Sequence, residues 1–341
     1  MQTYRRFILK SRPIGEPKPS DFELIEVPVP EINDGEVLVR NHFVSLDPAI
    51  RGWLDDTPSY MPPVELNDAV RATAIGRVHQ SRNPDFKEGQ WVLGLNAIEE
   101  MSVVVAGGFT APIDTTIVQS PTNYLSGLGA VGLTAYFGLL DDGKPKEGET
   151  VLVSGAAGAV GSMVGQIAKI KGCRTIGIAG GEKKCQRLLD DYRYDAAIDY
   201  KGKDVNALSA EIEQAAPDGV DIIFENVGGD ILDAGLNNIN EHARIIICGL
   251  ISEYSTDPVG ARNIWQLIVK QAVMKGFLIR DYAPRFAEGA VEMAKWIASG
   301  DLTFDEHIDH GIENTYTSFM KLFSGGNNGK LILDISPDKE S

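Results

Sequence analysis

Val151-Leu-Val-Ser-Gly-Ala-Ala-Gly-Ala-Val-Gly161 runs an apolar, β-branched stretch straight into glycines at 155, 158 and 161. Beyond them Val160, Val164, Ile167, Ala168 and Lys171 repeat at helical spacing, and Arg174 to Ile178 reads as a second strand. Strand, glycine turn and helix in that order are the fingerprint of a dinucleotide-binding unit. Glycine lets the backbone turn tightly and lets a pyrophosphate approach the N–H groups at the helix start, where the dipole favours an anion. Tight turns before helices also arise from packing alone. Here the flanking strands and helix tip the reading toward a nucleotide.

The end of the second strand decides which nucleotide. An NAD site presents a carboxylate to the ribose hydroxyls about 20 residues after the glycines. This chain instead leaves the strand through Ile178-Ala-Gly-Gly181, followed by Glu182, Lys183 and Lys184, with Arg187 one turn on. Small residues and cations suit a ribose 2′-phosphate, which an Asp would repel, so NADPH is expected over NADH. The alternative reading is a solvated first turn of a helix, although lysines are unfavourable there unless an anion sits beside them.

A chain of 341 residues, 43% hydrophobic and 23% charged, suits two globular domains. No stretch approaches the roughly 20 apolar residues needed to span a bilayer. The opening Met-Gln-Thr-Tyr-Arg-Arg lacks the apolar core of a signal peptide, so a cytoplasmic protein is expected. A formal charge of −16 argues against nucleic acid or an anionic membrane as partner. Cys173, Cys185 and Cys248 are too few for a disulfide framework, and without a Cys-x-x-Cys no structural zinc lobe is expected. Glu306, His307 and His310 would share one face of a helix and make a metal pair there; exposed or capping roles are commoner, and no metal is expected.

The texture changes twice along the chain. Residues up to about 120 read as β-rich, with alternation in Phe22-Glu-Leu-Ile-Glu-Val27, Glu36-Val-Leu-Val-Arg40 and Gln90-Trp-Val-Leu-Gly-Leu95. From Pro121 a helix through Leu139 is followed by strands near Val151, Thr175, Ala197, Ile222 and Ile245 with helices between them, which implies a mostly parallel sheet covered on both faces. After Gly300 the pattern turns irregular and ends in the apolar strand Lys330-Leu-Ile-Leu-Asp334. The expected fold class is α/β: a Rossmann doubly wound parallel sheet over residues 122–303, plus a β-rich domain of residues 1–121 rejoined by 304–341.

Several longer strings carry a family resemblance: Ser45-Leu-Asp-Pro48, Gly132-Leu-Thr-Ala-Tyr-Phe-Gly-Leu-Leu140, Ala156-Ala-Gly-Ala-Val-Gly-Ser162, Gly165-Gln-Ile-Ala-Lys169, Glu225-Asn-Val-Gly-Gly229, Ile247-Cys-Gly-Leu-Ile-Ser252 and Asn327-Asn-Gly-Lys330. Through them nearly the whole chain resembles the zinc-independent medium-chain dehydrogenase/reductases, in the group of leukotriene B4 12-hydroxydehydrogenase (prostaglandin reductase), plant alkenal double-bond reductases and bacterial curcumin reductase. The resemblance implies a GroES-like, partly open barrel for the β-rich domain, a homodimer, and NADP(H) as cofactor. It implies that Gly158, Ala159, Val160 and Gly161 hold the pyrophosphate and that Lys184 and Tyr200 contact the 2′-phosphate. Asn226 would lie near the riboses. Cys248, Gly249, Leu250, Ile251, Ser252 and Tyr254, with Phe277, Leu278 and Ile279, would line the nicotinamide half, and Asn327 would reach it from the returning C-terminal segment.

Zinc-using relatives hold their metal with a Cys early in the first domain and a His-Glu pair shortly after; this chain has Ser45 and Asp47 near the first place and Ile75-Gly76-Arg77 near the second. Without a Lewis acid, conjugate reduction is the better-suited chemistry: NADPH gives hydride to the β-carbon of an enone or enal, and a proton reaches the α-carbon. The proton donor is less legible. Where many relatives carry a tyrosine after Asp-Pro this chain has Ala49, and a second common tyrosine is replaced by Val269. Tyr60 in Ser59-Tyr-Met-Pro-Pro63 is the first candidate, followed by Tyr254 and Tyr282. Each would serve equally as a packing wall. Arg51 would sit near the pocket or in a structural ion pair, and Trp53 and Met61 would wall a bulky substrate or join the core. A quinone reductase and an idle NADPH-binding sensor are the alternative functions.

Overall fold

The computed structural model describes residues 2–105 and 109–337. The N-terminal segments form β1 (Thr3–Leu9), β2 (Phe22–Pro28), β3 (Glu36–Ser45), the short helix α1 (Ala49–Trp53), β4 (Arg71–Ser81), β5 (Trp91–Ala97), β6 (Met101–Val105) and β7 (Ala111–Pro112). Alternation of helix and strand follows: α2 (Ala130–Phe137), β8 (Thr150–Val153), α3 (Ala159–Ile170), β9 (Arg174–Ala179), α4 (Glu182–Asp190), β10 (Ala196–Asp199), α5 (Val205–Ala215), β11 (Val220–Glu225), α6 (Gly229–Leu236), β12 (Ile239–Ile247), α7 (Trp265–Val269), β13 (Val273–Gly276) and α8 (Phe286–Ser299). The chain returns through β14 (Glu306–His310), α9 (Thr315–Ser324) and β15 (Lys330–Asp334). It divides into two compact units, residues 1–125 with 306–341, and residues 126–305.

In the second unit six strands lie in the order β10-β9-β8-β11-β12-β13, every neighbouring pair parallel. The order reverses between β8 and β11, the switch point at which such sheets bind nucleotides. The apolar runs are unbroken because both faces are covered. Val151, Val153, Ile222 and Phe224 point into one core, and Leu152 and Ile223 into the other. The α/β class expected from the sequence is therefore the observed one, with β13 as a sixth strand. At four residues ending in Lys275-Gly276, β13 carries too little pattern to be read from sequence.

Two local departures have plain causes. The helix expected through Leu139 is α-helical only to Phe137 and then widens into a π-helical turn, Gly138–Gly143. A Cβ on Gly138 would lie 2.5 Å from the Phe277 ring, so the backbone there is pressed against an aromatic side chain. The face predicted for Glu306, His307 and His310 does not exist, because that segment is the strand β14, pinned in parallel to the apolar β15. Period-two alternation separates His307 from His310. His307 meets Asp309 at 3.2 Å, His310 meets Asp334 at 3.4 Å, and Glu306 accepts from Thr122 Oγ1 at 2.6 Å. The region after Gly300, expected to be irregular apart from its last strand, also forms α9.

The first unit holds the antiparallel pair β1-β2 and a mixed seven-stranded sheet of order β14-β15-β3-β4-β5-β7 with β6 on β3. Its core gathers Val44, Leu46, Ile50 and Leu54 with Phe319, Leu331 and Leu333, so the end of β3, α1 and the returning segment pack as one block. No helix among the described residues is long and apolar enough to cross a membrane.

Helix α3 sits close to the sheet because its glycine face admits Tyr194. That buried ring occupies the space a Cβ on Gly165 would need, and its hydroxyl donates to the Gly161 carbonyl at 2.7 Å. Gly165→Ala is expected to destabilise the protein by about 1–3 kcal/mol through overpacking, measured as a lower denaturation midpoint at unchanged slope. Wild-type stability in that variant would show that Tyr194 yields easily.

Candidate functional site

At the end of β8 the backbone turns at Gly155 with φ +57°, a conformation that L side chains rarely adopt. Gly158 is the N-cap of α3, and its N–H donates to Gly155 O at 2.9 Å. A Cβ on Gly161 would lie 2.5 Å from that same oxygen, so only glycine lets the first helical turn close onto the loop. Helix geometry leaves the N–H groups of Ala159, Val160 and Gly161 without intrahelical acceptors, which makes this end a natural anion cradle.

The ends of β8 and β11 are fastened together across the switch point. Glu225 is 1% exposed, and its Oε1 accepts from Ser154 Oγ (2.6 Å), Val227 N (2.6 Å) and Gly228 N (2.7 Å). Asn226 donates its Nδ2 to Ser154 O at 2.7 Å and its N–H to Ser154 Oγ at 2.8 Å. Burial pushes the Glu225 carboxyl above the ordinary range while these donors pull it back.

The segment after β12 folds back onto this turn. Cys248 and Gly249 donate their N–H groups to Glu225 O at 2.9 and 3.1 Å, Ile251 N–H reaches Asn226 O at 3.1 Å, and Ser252 Oγ donates to Val227 O at 2.6 Å. Burial, and then Glu225, push the Cys248 thiol up to about 12, so it is protonated at neutral pH. Tyr254 accepts the Leu250 N–H at 3.3 Å. Following β13, the Phe277 ring packs on Phe224 at 6.3 Å between centroids, which turns its side chain toward the core; Leu278 and Ile279 are half-buried. Tyr282 gives its hydroxyl to Asp142 Oδ2 at 2.8 Å and stacks on Phe137 at 4.8 Å, the contacts of a structural residue.

At the far end of the sheet, burial, then Lys201, then Arg187 lower the Lys184 ammonium below its ordinary range, while Arg187 is itself paired with Asp191 and Asp305. Tyr200 and Lys201 lean over Gly180: a Cβ there would meet the Tyr200 hydroxyl at 3.0 Å and Lys201 Cε at 3.2 Å. The resemblance points to Tyr200 but not to its neighbour Lys201, which follows the next strand, β10. Its signal was available in the Tyr200-Lys201 pair after the next strand. A site with concentrated positive charge and small backbone residues fits a phosphate dianion.

The remaining candidates lie in the first unit. Trp53 Nε1 donates to Tyr60 Oη at 3.2 Å, and the two rings meet edge-on at 6.5 Å. Arg51 is buried, pairs with Asp55 at 2.7 Å and donates to Gly15 O at 3.0 Å, an anchor for α1. Asn327 donates to Gly329 O at 2.9 Å within its own turn. Ser45 hydrogen-bonds Asp47, whose other oxygen takes the buried Lys330 ammonium at 2.8 Å. Among the described residues no group of three or more His, Cys, Asp and Glu side chains is arranged to hold a metal ion.

Sheet order, glycine turn and strand-end loops together define a nucleotide-binding α/β protein. Residues 5–111 match the family described as the N-terminal domain of oxidoreductase, and residues 159–296 the family described as zinc-binding dehydrogenase. YfmJ of Bacillus subtilis, named an NADP-dependent oxidoreductase, is 46% identical over 96% of each chain. The NADPH-dependent curcumin reductase of Escherichia coli is 39% identical over 99% of this chain and 98% of its own. The NADP(+)-dependent 2-alkenal reductase of Nicotiana tabacum is 37% identical over 97% of each. CurA from Vibrio vulnificus, solved in complex with NADPH, superposes with a TM-score of 0.92 at 39% identity, covering 98% of this chain and 99% of that one. The chain belongs to the medium-chain dehydrogenase/reductases, in the group of NADP-dependent oxidoreductases that contains the curcumin, 2-alkenal and prostaglandin reductases. Ser45 donates to Asp47, and Asp47 also takes the Lys330 ammonium.

Proposed function

We propose that this protein uses NADPH to reduce the activated C=C bond of α,β-unsaturated ketones or aldehydes without a metal. The Lys184 and Lys201 ammonium groups near the strand ends carry the cofactor part of the reading, and the full-length likeness to a 2-alkenal reductase supports the substrate class. Gly158 to Gly161 would bind the pyrophosphate; Lys184 and Tyr200, with Lys201, the 2′-phosphate. Asn226, the 248–254 loop, Phe277 to Ile279 and Asn327 would position the nicotinamide half. When bound, NADPH supplies the hydride that forms the new C–H bond at the substrate's β-carbon. The π electrons move onto the carbonyl oxygen, where hydrogen-bond donors stabilise the enolate, and a proton then bonds the α-carbon. Tyr60, held by Trp53, is the proposed donor, and Tyr254 a second hydroxyl on the cofactor side.

The test is steady-state NADPH oxidation with a panel of enals and enones against quinones. Enone and enal turnover should exceed quinone turnover by tenfold or more, about 1.4 kcal/mol of transition-state preference, and Tyr60→Phe should lower kcat by 10- to 100-fold, about 1.4–2.7 kcal/mol, with NADPH affinity retained. Preference for quinones would assign the alternative reductase chemistry, and tight NADPH binding without any turnover would assign a sensor. Lys184→Ala is expected to raise the KM for NADPH about tenfold, the loss of one charge-assisted contact, and that for NADH far less. Equal effects on the two nucleotides would remove Lys184 from the phosphate site.

The second unit also presents a surface suited to a second copy of the chain. Its sheet ends at β13, where Val273 is exposed, and the neighbouring α7 segment exposes Ile264, Trp265, Ile268 and Val269. An edge strand paired with its symmetry mate and roofed by such apolar groups is a self-complementary interface. We therefore expect a homodimer, and Trp265→Asp should shift it to monomer in sedimentation analysis. A wild-type protein that sediments as a monomer at micromolar concentration would discard this interface. The same reading puts the enzyme in the cytoplasm, where free cysteines stay reduced.

A further inference from the structure

We propose that Asp199 is a specificity-determining positioning residue: it shapes the 2′-phosphate end of the cofactor site by tying the Gly180-Gly181 turn to the Tyr200-Lys201 turn. The inference rests on the NADPH reading above and assigns a role to an acidic residue that a phosphate site would otherwise exclude. Asp199 ends β10, next to β9, and one oxygen, Oδ1, accepts both the Gly181 N–H (2.8 Å) and the Lys201 N–H (3.0 Å).

Those two amides belong to the two loops that carry the cations. Gly181 is the N-cap of α4 and accepts the Lys184 N–H at 3.0 Å, so its position sets where Lys184 begins. Tyr200 and Lys201 hang from the other loop, close enough that a Cβ on Gly180 would touch both. The parallel ladder of β9 and β10 stops at Ala179 and Asp199, and beyond it the Tyr200 N–H reaches Ala179 O at 3.2 Å, so the shared Asp199 oxygen adds the tie between the Gly181 and Lys201 amides.

The carboxylate is also spent in this arrangement. The Lys201 and Gly181 amides hold its carboxyl below the usual carboxylate range. Lys201 and Lys203 add favourable charge, and Lys203 is itself paired with Glu211 at 2.6 Å. An acid committed to backbone amides organises cations, whereas an acid aimed at the ribose would repel the phosphate. Because both amides use a single oxygen, a side-chain amide oxygen can take the same place.

The experiment measures binding of adenosine 2′,5′-bisphosphate, NADPH and NADH by calorimetry to wild type, D199A and D199N. D199A is expected to weaken the bisphosphate and NADPH about tenfold, as loss of a double charge-assisted contact should, and NADH about twofold or less. D199N should recover most of the loss. The inference is overturned if D199A binds the bisphosphate as wild type does, if NADH weakens in parallel, or if D199N is as weak as D199A. A wild-type protein that does not favour NADPH over NADH sinks the cofactor reading and this inference with it; wild-type preference with an indifferent D199A sinks this inference alone.

Discussion

A single buried oxygen, Oε1 of Glu225, fixes the place where the parallel sheet changes direction. It gathers the Ser154 hydroxyl from the end of β8 and two backbone amides from the turn after β11, while the Glu225 carbonyl takes the two amides that begin the 248–254 loop. Removing a carboxylate from water costs several kcal/mol unless it is well satisfied. A side chain that concentrates three donors on one oxygen tolerates that cost and in return defines one geometry for three loops. Each of the proposed nicotinamide-side residues up to Tyr254 hangs from those loops. The nucleotide turn beside them is rigid for an apolar reason instead, the closure of α3 onto Gly155 through Gly161 and its packing on Tyr194.

The opposite end of the same sheet follows a different electrostatic rule. At the switch point, burial raises a carboxyl and donors surround it. At the ends of β9 and β10, burial and the Lys201 charge lower an ammonium. A 2′-phosphate bound there, as proposed, would offset the repulsion. The two places thus differ in kind: at one a buried acid gathers donors on a single oxygen, and at the other an ammonium stands beside a second cation.

Sequence spacing made the nucleotide turn and the α/β alternation legible because the central strands β8, β9 and β11 are buried on both faces, so hydrophobic runs and glycine punctuation report directly on structure. Lys184 was legible for the same reason, being near a glycine-marked strand end. Glu225 was quoted only as part of a motif, since an acid at the end of an apolar strand gives no sign in one dimension of whether it faces solvent or three donors. Lys201 and Asp199 were missed because their importance lies across β9 and β10, twenty residues after the turn they complete. In the first unit, β14 and α9 escaped notice because charged and hydroxylated residues mask their period; pairing with β15 and packing of Phe319 decide their form. Tyr282, plausible as an acid from its type alone, is committed to Asp142.

The ion pair of Lys330 with Asp47 bears on the chemistry proposed for this chain. One Asp47 oxygen receives the Ser45 hydroxyl and the other an ammonium that is almost wholly buried. Under the metal-free chemistry proposed above, no divalent ion would polarise an isolated carbonyl. A substrate would then have to lower its own barrier by delocalisation. Conjugation does this, because hydride arriving at the β-carbon places charge on an oxygen several bonds away, where ordinary hydrogen-bond donors suffice. The same pair ties β15 to the turn that launches α1, and α1 ends at Trp53, which holds Tyr60. In this chain, then, Lys330 and Asp47 brace the segment that carries the proposed phenolic donor.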